Sequence, residues 1–373
     1  MNKDFLIVDI DSKNVTTMIS TKKSGNVFAV KNELSKSYSG FYEGEFLNKN
    51  ELGNTIVTLL ETFKMSSKKL PKEVYISVPS EFCSVKQAKV NVNFDRERVV
   101  VDDDIRYLIE KGCNYQSKGY TCVNKSIIEL RTNKNGGAFF DIRGMKASRI
   151  FGKISYVFAE DKYVNYIITI LKRFKFKSIK FISTAWAQGM GLLDENRRTA
   201  PYMIIDIGYL STSIMIGKAE GILDLTTICT GSAEVVADMY EMVDLPFEML
   251  EEFLYDMDFT MNYAEIGNDV FHGYEIDTLF MYQIVESRIR LILETIKEII
   301  VVNIMKIPEY SPIYITGYGL AVIRGFAKMA EEYFGKRVEI LASNMPKYKD
   351  LKKVNIASMM QLINDKYTKR NTY

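Results

Sequence analysis

The sequence predicts an α/β fold of two related lobes facing each other across a cleft, with a small α+β unit inserted into the first lobe. Three observations lead there. Two strand-Asp-turn-strand units stand about 200 residues apart, Phe5-Leu6-Ile7-Val8-Asp9-Ile10-Asp11 and Met203-Ile204-Ile205-Asp206-Ile207-Gly208, and self-similarity at long period is the trace of an internal duplication. Helical spacing returns to strand patterning after the first unit, as in a mixed sheet covered by helices. Between 82 and 158 the pattern changes to strands around one helix, a separate small unit.

Taken in order, residues 5–10 read as a strand, 11–14 as a polar turn and 15–20 as a second strand, with a third at 27–30 after the Ser24-Gly25-Asn26 turn. Apolar residues at 52, 56, 59, 60 and 63 have helical spacing, and 73–78 is a strand closed by Pro79. In the insertion Val85, Ala88, Val90 and Val92 are strand-like, Asp102-Asp103-Asp104 caps a helix through Lys111, and strands follow at 126–130 and 150–158. Three adjacent carboxylates at a helix start serve the cap and dipole rather than a metal. A helix over 162–174 and a strand over 177–183 lead into the second unit, where 203–208, the turn 211–213 and the strand 214–216 repeat the opening. Pro312 to Gly319 is a strand running into a glycine turn, followed by a helix over 321–333 and a last helix over 356–364. The division is therefore 1–80, 159–200 and 342–373 for the first lobe and 81–158 for the insertion. The second lobe takes 201–233 and 300–341, with 234–299 as its acidic helical subdomain.

In this chain of 373 residues, 49 Lys plus Arg stand against 47 Asp plus Glu, and a net charge of +2 argues against a general nucleic-acid binder. A hydrophobic share of 47% with only 7 Pro excludes disorder for most of the chain. Charge is instead local. Residues 234–269 hold eleven acidic side chains and no Lys or Arg, a solvated helical face or one that meets a basic partner. Residues 347–373 carry a net charge of +5, a tail open to anionic lipid, to an acidic neighbour or to solvent alone. No stretch of 18 uncharged apolar residues marks a transmembrane segment, and the opening MNKDFLIVDIDS is no signal peptide. Cys83, Cys113, Cys122 and Cys229 include no C-x-x-C pair, and one histidine, His272, leaves no zinc set. A reduced, cytoplasmic setting is the simplest reading. Without a G-x-S-x-G elbow, His272 is expected in a loop or on the surface rather than in a catalytic triad.

Two hairpins that each bring an Asp and small residues to a corner can clamp phosphates, backbone N–H groups and hydroxyls holding the oxygens while carboxylates position Mg²⁺ and its waters. The candidates are Asp9, Asp11 and Ser12 on one lobe and Asp206, Gly208, Ser211 and Thr212 on the other. The third element, Ile315-Thr316-Gly317-Tyr318-Gly319, is a turn that a nucleoside can approach closely.

With these three elements in this order, the chain resembles the actin, Hsp70 and sugar-kinase superfamily, and within it looks most like the bacterial cell-division actin homologue FtsA. The likeness spans nearly the whole chain. It includes the opening Asp9-Ile10-Asp11-Ser12, the insertion after Pro79 with its Val101-Asp102-Asp103-Asp104-Ile105 helix start, Asp206-Ile207-Gly208, Gly231 to Glu234 before the acidic subdomain, and Ile315-Thr316-Gly317. The type IV pilus protein PilM has the same domain plan. The resemblance implies an actin-like duplicated ATPase fold, filament or dimer formation with copies of itself, and binding of an FtsZ-like tail peptide or a membrane-protein cytoplasmic segment. Recruitment to the inner face of the membrane would then come through partners. It also implies ATP or ADP with Mg²⁺ as ligands, with Asp9 and Asp206 holding the metal through water. Ser12, Ser211 and Thr212 would touch phosphates, and Gly231, Glu234, Gly317 and Gly319 would border the nucleoside.

Four departures run against hydrolysis. Asp11 stands where the family has a glycine, adding a carboxylate near the phosphates. Tyr209 and Leu210 replace both later glycines of the second loop. The Gln or Glu used before the connecting helix is replaced around Thr184-Ala185-Trp186, and Tyr318 separates Gly317 from Gly319. The expectation is a scaffold with degenerate nucleotide loops. A pilus-assembly adaptor and an active actin-family ATPase are the alternatives.

Overall fold

The computed structural model describes residues 3–22, 28–67, 69–113, 118–134, 136–262, 268–304 and 306–369. The turn expected at Ser24-Gly25-Asn26 lies outside them, as do Glu265 of the acidic segment and the last four residues of the basic tail. The chain opens with β1 (Lys3–Ile10), β2 (Asn14–Lys22), β3 (Phe28–Ser37), β4 (Phe41–Tyr42), β5 (Glu45–Phe46), α1 (Lys49–Ser67) and β6 (Glu73–Val78). The insertion follows as β7 (Cys83–Val99), α2 (Asp102–Gly112), β8 (Tyr120–Thr132) and β9 (Lys146–Glu160). The chain continues through α3 (Asp161–Leu171), β10 (Ser178–Ser183) and α4 (Thr184–Leu192). The second half runs β11 (Tyr202–Ile207), β12 (Thr212–Lys218), β13 (Gly221–Ile228), α5 (Ser232–Met242), α6 (Phe247–Asp256), β14 (Asp269–Phe271), β15 (Tyr274–Ile276) and α7 (Thr278–Ile304). It ends with β16 (Ile313–Thr316), α8 (Phe326–Phe334), β17 (Val338–Ile340) and α9 (Val354–Lys369).

Duplication is visible in the sheets. One runs β10-β6-β1-β2-β3 and the other β17-β16-β11-β12-β13, each with two parallel pairings followed by two antiparallel ones. Strands buried on both faces read as continuous apolar runs. In β1, Phe5 and Ile7 enter one core while Leu6, Val8 and Ile10 enter another; in β11, Tyr202 and Ile204 separate in the same way from Met203, Ile205 and Ile207. The result is five layers: α1 and α3, the first sheet, a shared middle layer of α4 and α9, the second sheet, then α5, α7 and α8. Every residue of α4 is buried, which suits its composition of small and apolar residues.

The insertion folds as an antiparallel sheet in the order β7-β9-β8 with α2 on one face and its own core around Leu108, Ile150, Ile154 and Tyr156. It also grips the second lobe. Ser155 Oγ donates to the Ile222 carbonyl at 2.8 Å, Glu220 N donates to the Ile127 carbonyl at 3.2 Å, and Gln87 Nε2 donates to the Leu223 carbonyl. A Cβ on Gly221 would lie 2.4 Å from Ile128 Cγ1, so the β12–β13 turn fits there only as glycine.

Several boundaries move from the sequence expectation, each for a local reason. The helix expected over 321–333 begins at Phe326, because 320–325 turns on Gly325 at φ +86° while Phe259 N donates to the Arg324 carbonyl. The helix expected over 162–174 ends at Leu171, followed by one tight turn and Lys175 in the left-handed region. Of the three carboxylates in the first turn of α2, only Asp104 works at the cap: it accepts from Val101 N at 2.9 Å and from the Arg98 guanidinium at 2.8 Å. The last helix, expected over 356–364, spans Val354–Lys369.

The α4–α9 contact sets the spacing of the middle layer. A Cβ on Gly191 would come within 2.5 Å of the Ser358 carbonyl oxygen, backbone that cannot rotate away. Gly191→Ala is expected to destabilise the fold by about 1–3 kcal/mol in urea unfolding, and an unchanged midpoint would mean that α9 shifts freely on α4.

Candidate functional site

The carboxyl ends of β1 and β11 face each other, the place where open α/β sheets bind ligands. Asp9 is opposite Thr16 in its hairpin and Asp206 opposite Ser213, so the duplication sets both carboxylates at matching positions. Asp9, Asp11, Ser12, Asp206, Gly208, Ser211 and Gly317 line one cavity between the lobes. Thr212, Gly231, Glu234 and Gly319 do not. Thr212 is fully buried and donates to the Thr230 carbonyl at 2.8 Å. Glu234 accepts from Thr230 Oγ1 at 2.7 Å and faces the Arg288 guanidinium at 3.7 Å.

The loop after β11 itself requires the glycines around the cavity. A Cβ on Gly319 would come within 2.2 Å of the Gly208 carbonyl, and one on Gly231 within 2.4 Å of the Tyr209 carbonyl. Gly317 has φ +90°, and a side chain there would meet Asp206 Oδ1 at 2.3 Å. Asp11, expected to confront phosphate, is spent on its own turn: its Oδ1 accepts from Lys13 N and Asn14 N, both at 2.7 Å.

Three carboxylates share this closed space. Burial, the Asp11 charge and the Asp206 charge push the Asp9 carboxyl up to about 7, although a Ser77 hydrogen bond opposes them. Burial also pushes Asp11 up to about 6, against the two backbone N–H bonds and the Lys13 charge. Burial raises Asp206, while Gln188 opposes the shift by donating to Asp206 Oδ2 at 2.6 Å. Asp9 Oδ1 is buried with no hydrogen-bond partner, and a proton on this carboxyl relieves what an orphaned anion would cost.

The two phosphate-loop positions meet each other. Leu210 N donates to Ser12 Oγ at 3.2 Å across the cleft. Lys13 Nζ pairs with Glu251 of α6 and lies 4.5 Å from the centre of the Tyr209 ring. Ser211 lines the cavity together with Glu81 of the first lobe. Beneath them Gly40, at φ +86°, sits where a Cβ would collide with the Ser12 carbonyl and touch Leu210 Cδ1 at 3.3 Å. The cavity left is about 60 Å³, against about 300–1,000 Å³ for sites that take drug-sized ligands. As arranged, these residues do not fit a nucleoside triphosphate. Nor do they form a resident divalent-metal set: Asp11 Oδ1 is engaged by its turn and Asp206 Oδ2 by Gln188, and no group of three ligating His, Cys, Asp or Glu side chains converges among the described residues.

Gln188 escapes the sequence reading, which places the polar position of the connecting helix around Thr184-Ala185-Trp186. It sits one turn further on, in a helix otherwise of apolar and small residues, and bridges Asp206 to Asn355 Oδ1, 2.8 Å away. An amide alone in a buried helix was the available signal. Other elements pair part of the acidic segment, while Glu241, Asp244, Glu248 and Asp256 stay exposed. Arg288 makes two bonds to Asp238 at 2.5 and 2.6 Å, Lys13 takes Glu251 and Arg324 reaches Asp258, and exposed His272 lies 3.1 Å from Glu252.

The repeated sheet order and facing Asp-bearing hairpins define a protein of the actin/Hsp70/sugar-kinase fold. No family profile matches the sequence and no curated protein is a significant relative, so the likeness is structural. The chain superposes on the PilM–PilN type IV pilus biogenesis complex with a TM-score of 0.62 at 11% identity, covering 96% of this chain and 98% of that one. MreB5 of Spiroplasma citri bound to ADP gives 0.56 at 11% identity over 99% and 98%. The MamK double helical filament gives 0.53 at 14% identity over 97% and 99%.

Two measurements follow from the site. Because the folded state holds protons on Asp9 and Asp11 that the unfolded chain releases near pH 4, stability falls as pH rises from about 4 to about 7 and levels off above. Asp9→Asn is expected to flatten that fall in thermal melts taken between pH 5 and 7.5, and an unchanged slope would remove Asp9 as its source. Gln188→Leu leaves Asp206 and Asn355 without their donor and is expected to cost about 1–3 kcal/mol in chemical unfolding.

Proposed function

We propose that this chain is an actin-fold scaffold that does not hydrolyse nucleotide and works by binding protein partners. The observation that carries this reading is the Leu210 N–H bond to Ser12 Oγ, which joins the two phosphate loops and leaves about 60 Å³ between the lobes. In this reading Asp9 is retained as a buried acid, with Asp11 and Asp206 half-buried beside it, and the loops that would cradle phosphates hold the lobes together.

Both roles expected from the sequence, FtsA-like division scaffold and PilM-like pilus adaptor, are of this partner-binding kind. The adaptor has a specific observation in its favour: the PilM–PilN complex superposes over 96% of the chain with a TM-score of 0.62, against 0.56 for MreB5 and 0.53 for MamK. The partner in that case is a short cytoplasmic segment of a membrane protein, which would bring the scaffold to the membrane. For the division role it is an FtsZ-like tail peptide, with self-assembly as filament or dimer; the MamK filament supports that possibility for the fold.

The test is isothermal titration with ATP and ADP in the presence of Mg²⁺, beside a Tyr209→Gly, Leu210→Gly double variant. Binding weaker than about 1 mM by the unmodified chain is expected, since the cleft must break its own contacts to admit a ligand. Micromolar binding accompanied by phosphate release would overturn the reading in favour of an active ATPase.

A further inference from the structure

The end of the first lobe away from the cleft is strongly basic. It is built from the C-terminal ends of α1 and α3 and the amino ends of β6 and β10. Residues 61–73 and 171–180 hold nine Lys or Arg and two Glu, a net charge of +7 in a chain whose total is +2. The fold brings the two segments together: Lys177 N and Ser178 N both donate to the Lys72 carbonyl, at 2.9 and 3.2 Å, and Glu73 stands in register with Ser178.

Both acids are consumed locally. Glu61 takes Arg173 at 3.3 Å and Lys64 at 3.6 Å, and the buried Glu73 takes Lys180. Lys69, Lys72, Lys172, Lys175 and Lys177 are exposed, and none forms an ion pair among the described residues. Basic residues at the ends of α1 and α3 complement the helix dipoles, which explains Lys64 and Lys172 but not the lysines on the strand edges and the turn. Among them stand apolar groups: Met65 is 83% exposed, and Phe174 and Phe176 are half-buried with ring centres 6.2 Å apart.

We propose that this face rests on an anionic lipid bilayer. Lysine outnumbers arginine eight to one in the two segments. Lysine acts as a hydrated point charge suited to a diffuse anionic surface, whereas bidentate recognition of single phosphates in nucleic acid favours the arginine fork. Lysine stems and exposed apolar side chains can lie against the headgroup boundary while the ammonium groups stay wet. Each lysine near such a surface raises binding about fivefold. The proposal stands independently of the reading of the cleft and points the cleft away from the bilayer.

The experiment is co-sedimentation of the full chain with vesicles of phosphatidylcholine alone and of phosphatidylcholine with phosphatidylserine, at low and high salt. Binding to the anionic vesicles only, lost at high salt, is expected. A Lys69→Glu, Lys72→Glu, Lys175→Glu, Lys177→Glu variant is expected to bind at least about 100-fold more weakly, and a Lys347→Glu, Lys349→Glu variant in the basic C-terminal segment to bind as the parent does. Should charge reversal upset folding by circular dichroism, the milder Lys72→Gln, Lys177→Gln variant is expected to lose about 10-fold or more. Equal binding to neutral vesicles, full binding by the patch variants, or equally tight binding to duplex DNA at the same salt would each overturn the proposal.

Discussion

A backbone amide at the tip of the second lobe, Leu210 N–H, finds its acceptor on the first lobe, in the hydroxyl of Ser12. That pairing joins the two loops at the mouth of the cleft. Around that bond Lys13 pairs with Glu251 and lies over Tyr209, Glu81 lines the cavity with Ser211, and Asp9 beneath is buried while Asp11 and Asp206 are half-buried. Burial then does to the carboxylates what low dielectric does generally, favouring the neutral form where no cation compensates. Leucine at 210 both supplies the N–H and fills the space against Gly40, so one residue joins and seals the cleft.

The duplicated sheets explain why the acids face each other, and the middle layer explains why they stay there. Helix α4 belongs to neither sheet alone; its apolar side chains share one core with Phe5 and Ile7 from the first sheet and Ile204 and Met215 from the second. Gln188 projects from this buried helix to Asp206 and Asn355. A single element therefore positions the sheets and anchors one of the carboxylates between them.

Much of this was legible in the sequence. The apolar runs at 5–10 and 203–208, each ending in Asp, are doubly buried strands in matching sheet positions, and periodicity reports such strands well. The insertion was legible from its change of pattern after Pro79. What periodicity does not carry is partnership. Thr212 and Glu234 match a family pattern yet turn to Thr230 and Arg288, because a hydroxyl or carboxylate bonds to whatever the fold brings near. Asp11 follows an Asx turn, a choice made by its own backbone. Gln188 was missed because a polar residue inside a buried helix has no periodic signature, only a chemical one. The end of α3 and the start of α8 moved for the same kind of reason: Lys175 and Gly325 adopt left-handed backbone geometry at positions where helical spacing gives no warning.

The grip of the insertion on the β12–β13 turn has a mechanical consequence. A pull on β9 passes through the Ser155 bond to Ile222 and the steric seat around Gly221 directly into the second lobe, without travelling through the covalent crossing between the lobes. The loop contacts at the mouth of the cleft tie the lobes at the opposite end. Two ties at different places resist torsion as one cannot, so turning one lobe against the other strains both at once.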